Sequence, residues 1–198
     1  MEKIIELKEI ENKIKNCKLC PLSNYRKNAV PGEGSYETKI MFIGEAPGEE
    51  EDKQGRPFVG KAGQVLNEML KEIGINRDEV FITNVVKCRP PNNREPSDEE
   101  SKICISNYLI KQIELIKPAI IVLLGNVAIK QVLGINNPSK ARSKEIIKDG
   151  IRYFCTYHPA VALYNPNMKE ILKKEFEKIG NLYKNLSRNK SSSIMDYL

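Results

Sequence analysis

The chain has 198 residues, 40% hydrophobic and 29% charged, with a formal charge of +6. It is too apolar for a disordered chain and too short for a second full domain, and it lacks the run of roughly 20 apolar residues that crosses a bilayer. The positive excess favours phosphate-rich partners without naming one.

Ile4, Ile5, Leu7, Ile10 and Ile14 recur at helical spacing and predict an amphipathic helix over residues 2–16. Charged residues break up its apolar ones, so it is not the core of a secretory signal, and a cytoplasmic protein is expected. Cys17-Lys18-Leu19-Cys20-Pro21 follows, the proline opening a turn. Residues 39–44 read as a buried strand, and a loop rich in glycine, proline and acid comes next. Residues 62–73 form a helix closed by Gly74. Residues 80–86 are β-branched and apolar, the signature of a second strand. The stretch 89–96 has too many prolines and asparagines for regular structure. Ser97 with Glu100 makes a capping box opening a helix to about residue 117. A strand over 119–124, a short helix over 126–133 and a polar loop over 136–150 with an edge strand come after it. A last strand over 151–157 and a helix over 167–186 complete a single domain, 1–186, before a polar, flexible tail, 187–198. Alternating strands and helices imply a mainly parallel sheet covered on both faces, an α/β fold.

Three polar residues fall at strand ends in this layout. Gly44 and Glu45 follow the first strand, Asn84 lies near the end of the second, and His158 follows the last. Open parallel sheets bind ligands at the carboxyl ends of their strands. Asparagine within an apolar strand is costly unless paired, which marks Asn84 as functional.

Five cysteines in a reducing compartment point to metal or redox chemistry rather than disulfides. Cys17 and Cys20 form a C-x-x-C turn, and Cys88 and Cys104 have fifteen residues between them. Four such thiolates suit zinc or an iron–sulfur cluster, and spacing does not choose between them. The plainer alternative is that Cys88 and Cys104 are buried apolar residues. Cys155, inside a strand, reads as core.

Four segments carry a family resemblance: Gly44-Glu45-Ala46-Pro47-Gly48-Glu49-Glu50-Glu51-Asp52, Gly55-Arg56-Pro57-Phe58-Val59-Gly60, Thr83-Asn84-Val85-Val86-Lys87-Cys88-Arg89-Pro90-Pro91 and His158-Pro159-Ala160. In this order, with the cysteines interleaved, the chain resembles the family-4 (iron–sulfur) uracil-DNA glycosylases from Cys17 to about Pro166. The resemblance implies a three-layer α/β/α sandwich and hydrolysis of the glycosidic bond of deoxyuridine in single- or double-stranded DNA. It also implies a structural 4Fe–4S cluster on Cys17, Cys20, Cys88 and Cys104, deciding iron over zinc.

A base to be excised must be flipped into a pocket. The resemblance places Phe58 as the stacking face and Glu51 as a wall against the methyl group of thymine. Uracil's edge alternates donor and acceptor, which a side-chain amide such as Asn84 meets. His158, the only histidine, is expected to donate to the developing charge on uracil O2. Gly44, Glu45 and Ala46 are expected to pass close under the base, with Glu45 orienting water or stabilising the cationic sugar. Related families carry aspartate where this chain has Ala46. Leu163 is the expected wedge into the DNA, and Tyr164 stands where family members commonly have arginine. Lys53, Arg56, Lys61, Lys87, Arg89, Arg94 and Arg142 are candidate phosphate contacts. The terminal segment, with Ile194, Tyr197 and Leu198, resembles a degenerate sliding-clamp peptide. A monomer is expected. The competing readings are a non-catalytic replication-associated module and a glycosylase for another base.

Overall fold

The computed structural model describes the backbone of residues 2–195 and side chains as far as residue 186. In chain order the elements are α1 (Glu2–Lys15), β1 (Glu33–Gly34), β2 (Ile40–Gly44), α2 (Glu49–Gln54), α3 (Lys61–Glu72), β3 (Phe81–Asn84), α4 (Asp98–Cys104), α5 (Ile110–Ile116), β4 (Ile120–Leu124), α6 (Asn126–Leu133), β5 (Glu145–Lys148), β6 (Ile151–Thr156), α7 (Val161–Tyr164) and α8 (Pro166–Met195). The strands form one sheet in the order β1-β3-β2-β4-β6-β5. Its inner strands are parallel, and only the short edges β1 and β5 pair antiparallel.

The continuous apolar runs of β2 and β4 are buried along their whole length, as a sheet covered on both faces requires. Alternation along β2 sorts its side chains between two cores. Met41 and Ile43 pack with Ile121 and Leu123 under α1, α5 and α6. Ile40 and Phe42 pack with Ile120 and Val122 under α3 and α8. The Phe42 and Phe176 rings lie nearly parallel with centroids 6.0 Å apart, joining sheet to α8. Burying each such ring contributes about 1.5–3 kcal/mol. The result is the three-layer α/β/α sandwich, with Cys155 in its core as expected.

Local signals explain most boundaries. Gly74 follows α3 with a left-handed φ of 74°, its amide donating to Lys71 O at 3.1 Å. The Ser97–Glu100 box is reciprocal: the Ser97 amide donates to Glu100 Oε2 at 2.8 Å and the Glu100 amide to Ser97 Oγ at 3.1 Å. The helix it opens is not uniform, because a π-turn at Ile105–Leu109 separates α4 from α5 directly after Cys104. The buried Cys104, Tyr108, Gln112 and Ile116 recur every four residues through it, so the spacing in this sequence does not mark the inserted residue. Strand β3 stops at Asn84, two residues short of expectation. The Val85 and Val86 amides turn instead to Gly44 O (2.9 Å) and Glu45 O (3.1 Å), lacing the two strand exits together. Helix α8 runs to Met195, past the expected boundary at 186. Ile194 lies in its last turn, with its side chain outside the described residues, and Tyr197 and Leu198 also lie outside them. Edge strand β1 and helices α2 and α7 add to the expected elements.

Candidate active site

β2, β3 and β6 deliver Gly44, Asn84 and, two residues beyond Thr156, His158 to the same sheet edge. A cavity of about 350 Å³ opens there, lined among others by Glu45, Ala46, Glu51, Phe58, Asn84 and His158. Every expected base-contacting side chain therefore meets in one place, and Gly44 lies beneath them. A β-carbon on Gly44 would fall 2.5 Å from Asn84 Oδ1 and 2.6 Å from Phe58 Cζ. Glycine is needed there because the backbone passes under two side chains that must stay in contact range.

Phe58 is buried and holds a left-handed φ of 49°. Such a conformation costs an ordinary residue of order 1–3 kcal/mol and persists only when its surroundings enforce it. They do so from three sides. The Glu51 carboxylate accepts the Val59 and Gly60 amides, both at 2.8 Å, through Oε1, and the Gly48 amide at 3.1 Å through Oε2. Arg77 donates to Pro57 O at 2.5 Å and Phe58 O at 3.3 Å. Gly63 of α3 lies so close that a β-carbon would fall 1.9 Å from Phe58 O. Glu51 is thus first a strut for the Phe58 loop, with both oxygens engaged by backbone. The next residue, Asp52, is also buried and accepts the Lys27 amide at 2.9 Å.

The Phe58 and His158 rings stand 5.6 Å apart between centroids, at 29° to one another. His158 Nδ1 accepts the Ala160 amide at 3.2 Å, so the proton of the neutral ring sits on Nε2. Burial holds the imidazole pKa down at about 4, with Glu51 pulling weakly the other way, so the ring is a neutral Nε2–H donor at neutral pH. Asn84 is 1% exposed, and its Oδ1 is buried without a hydrogen-bond partner among the described residues. An orphaned buried acceptor costs about 1–3 kcal/mol, which a ligand N–H in the cavity would relieve. Burial, and then Glu95, raises the pKa of half-buried Glu45.

The basic residues fare differently. Lys87 is a correction: it is 1% exposed and faces inward, so it contacts no phosphate. Its pKa is lowered by burial to about 8, with Cys104 and Cys88 opposing. Arg94 lines the cavity mouth but is held by Glu100 at 2.8 and 2.9 Å. Arg89 donates to Asn93 Oδ1 at 2.8 Å, Arg56 pairs with Glu33 and Lys53 with Glu49 and Glu50. Lys61 is exposed. Arg142 lies 4.6 Å over the Tyr157 ring, with its Nε buried and without a hydrogen-bond partner among the described residues. Both line a second cleft on the far side of His158, along with Tyr164. Leu163 and Tyr164 project beside it, 41% and 86% exposed.

Cys88 and Cys104 are buried in the core under α1 and α5, and Cys17 and Cys20 pack against the same cluster. Their sulfurs lie close enough that ionising one would disfavour ionising the next, and Arg26 donates to Cys88 Sγ at 2.8 Å. Burial pushes the Cys104 thiol up to about 12 and raises Cys20 and Cys88. Such thiols are poor nucleophiles, and a metal would have to displace their protons. Among the described residues no three such side chains already stand at metal-ligand spacing. Four sulfurs with cationic Arg26 alongside are a donor set of the kind that a thiolate-bound centre takes.

Arg77, Asp52 and the strut role of Glu51 went unrecognised in the sequence. Arg77 sits in a polar turn with no motif, and two buried acids inside an acidic run look like any solvated loop.

A nucleobase slot at the strand ends of an α/β/α sandwich defines a class, and the chain belongs to the uracil DNA glycosylase superfamily, whose family model matches residues 31–182. Within it the chain falls among the type-4 enzymes. A type-4 uracil-DNA glycosylase of Sulfurisphaera tokodaii is 53% identical over 186 residues, covering 89% of this chain and 84% of that one. One from Saccharolobus solfataricus is 48% identical over 86% of this chain and 83% of its own. A third, from Archaeoglobus fulgidus, is 41% identical over 97% and 98%.

Proposed function

We propose that this protein excises uracil from DNA by hydrolysing the bond between uracil N1 and the deoxyribose C1′. The observation that carries this is the slot itself: an orphaned Asn84 amide oxygen, a buried Phe58 ring held by a strained backbone and a neutral Nε2–H of His158 around one cavity. Uracil N3–H would satisfy Asn84 Oδ1, and the Asn84 amide nitrogen would donate to O4. Phe58 stacks on the ring. As the N1–C1′ bond breaks, its electron pair leaves with uracil, and His158 Nε2–H stabilises the charge gathering on O2. Water then adds to C1′ and gives up a proton, leaving an abasic site. Glu45, half-buried at the cavity wall, is placed to hold that water or to face the cationic sugar.

Cys17, Cys20, Cys88 and Cys104 would hold a 4Fe–4S cluster, supported by four thiols in one core cluster and by Arg26 beside them. The hydrolysis needs no electron transfer, so such a cluster would fasten the 17–20 turn and the 88–104 segment beneath the cavity mouth. A cytoplasmic monomer, with residues 191–198 as a sliding-clamp peptide, completes the proposal from sequence alone.

The test is incubation with single- and double-stranded oligonucleotides carrying one uracil, followed by alkaline scission. Cleavage at the uracil, absent from a thymine control, is expected. An intact uracil strand refutes the proposal.

A further inference from the structure

Lys87 is the largest unexplained investment of polarity in the interior. It follows β3 by three residues, yet its side chain folds back under the strand end with only 1% exposure. Its Nζ donates to Thr83 Oγ1 at 2.6 Å, to the Asn84 backbone oxygen at 2.8 Å and to Gln112 Oε1 at 2.9 Å. Three acceptors saturate the three protons of an ammonium group. The cage is itself braced, since Thr83 Oγ1 and Gln112 Nε2 both donate to Pro31 O, at 3.0 and 2.9 Å.

A fully buried cation whose hydrogen-bond partners are all neutral is an expensive way to fill space, even with Cys104 and Cys88 near enough to favour its charge, and an apolar side chain of the same length would serve packing better. No carboxylate pairs with Lys87 among the described residues. Of the three contacts, one falls on the backbone carbonyl of the residue whose side chain faces the cavity. A recognition group held to within a fraction of an ångström needs such support from behind. Asn84 lies at the last register position of β3, opposite Gly44, and while the Val85 and Val86 amides hold the strand exit to β2 from one side, the Lys87 ammonium holds the Asn84 carbonyl from the other.

We infer that Lys87 is a positioning residue for base recognition, fixing the backbone of Asn84 from inside the fold so that its amide meets the uracil edge. This rests on the uracil-excision reading above. Lys87 touches neither substrate nor reacting atoms.

The variant is Lys87→Met, measured for thermal stability, for affinity to DNA carrying an abasic site, and for inhibition by free uracil. The expected result is a rise of about tenfold or more in the uracil inhibition constant, since sub-ångström misplacement at a site carries such penalties. Affinity for abasic-site DNA should stay within about twofold, because that ligand does not use the Asn84 amide. Combined with Asn84→Ala, Lys87→Met should add no further loss of uracil affinity. A merely structural lysine would lower the melting temperature without this selective, non-additive effect. If Lys87→Met does not fold, Gln112→Leu removes one wall of the cage and takes the same measurements. Uracil inhibition unchanged in the folded variant overturns the inference. Wild-type protein that neither excises nor binds uracil overturns the function reading, and this inference with it.

Discussion

A β-carbon built on Gly44 would lie 2.5 Å from Asn84 Oδ1, closer than real contacts allow. The floor of the cavity and the amide proposed to read the base thus leave no room between them. The same atom would sit 2.6 Å from Phe58 Cζ, so one methyl group presses on the reader and the stacking face together.

Gly44→Ala should therefore act on recognition more than on folding. Asn84 and Phe58 must both move by several tenths of an ångström to admit the methyl group. A misplacement of that order can cost roughly 10²-fold in rate. The expected outcome is a loss of about that size in kcat/KM on uracil DNA, with far-UV circular dichroism unchanged. Wild-type kcat/KM would show that the floor tolerates more than its geometry suggests.

His158 sets the pH behaviour. Its pKa falls to about 4 from an ordinary 6.5, so the neutral donor persists across pH 5–8. The kcat profile should show no inflection near 6.5; one there would mean the imidazole titrates normally and that the donor assignment needs revision. The stability sign follows from linkage. Between about 6.5 and 4 the unfolded chain binds a proton that the folded chain refuses, so stability falls as pH drops through that window. Replacing His158 should remove this part of the slope, visible as a flatter melting-temperature profile. His158→Ala should also lower kcat by about 10²–10³, the usual loss for a donor to a developing oxyanion.

The sequence revealed much of this site because its chemistry leaves marks in local pattern. Asn84 breaks an apolar strand, His158 is the only histidine, and glycines and prolines flag the loop that carries Phe58. Side chains whose importance lies in a distant partner leave none. Glu51 is one letter in an acidic run, and only the fold brings the Val59 and Gly60 amides to it. Lys87 looked like a phosphate contact because lysines usually face water, and only the fold shows it turned inward beside Gln112, 25 residues away. The π-turn after Cys104 escaped because the buried Cys104, Tyr108, Gln112 and Ile116 still recur every four residues, as they would on a plain helix.

The cysteine centre makes a prediction independent of catalysis. A brown protein with broad visible absorption and bound iron is expected, and Cys88→Ser or Cys104→Ser should lose both. Because Cys88 and Cys104 lie in the core with α1 and α5, loss of the cluster should also lower the melting temperature. A colourless protein carrying zinc on the same thiols would replace the iron assignment while leaving the structural role intact.

Leu163, proposed as the wedge, should separate paired from unpaired substrate. It projects from α7, 41% exposed, next to Tyr164 and beside the cleft that adjoins His158. In a duplex, flipping a nucleotide opens a gap that an apolar side chain can fill, offsetting part of the lost stacking. A single strand has no such gap. Leu163→Ala should therefore reduce kcat/KM on double-stranded uracil DNA by about tenfold, about 1.4 kcal/mol and so a part of the few kcal/mol that unstacking one step costs. Activity on the single strand should stay close to wild type. Tyr164→Ala serves as the contrast: an exposed aromatic ring stacks on any base, so its loss should weaken both substrates. Equal losses on both substrates for Leu163→Ala would assign that residue to general strand binding and leave the gap unfilled by this helix.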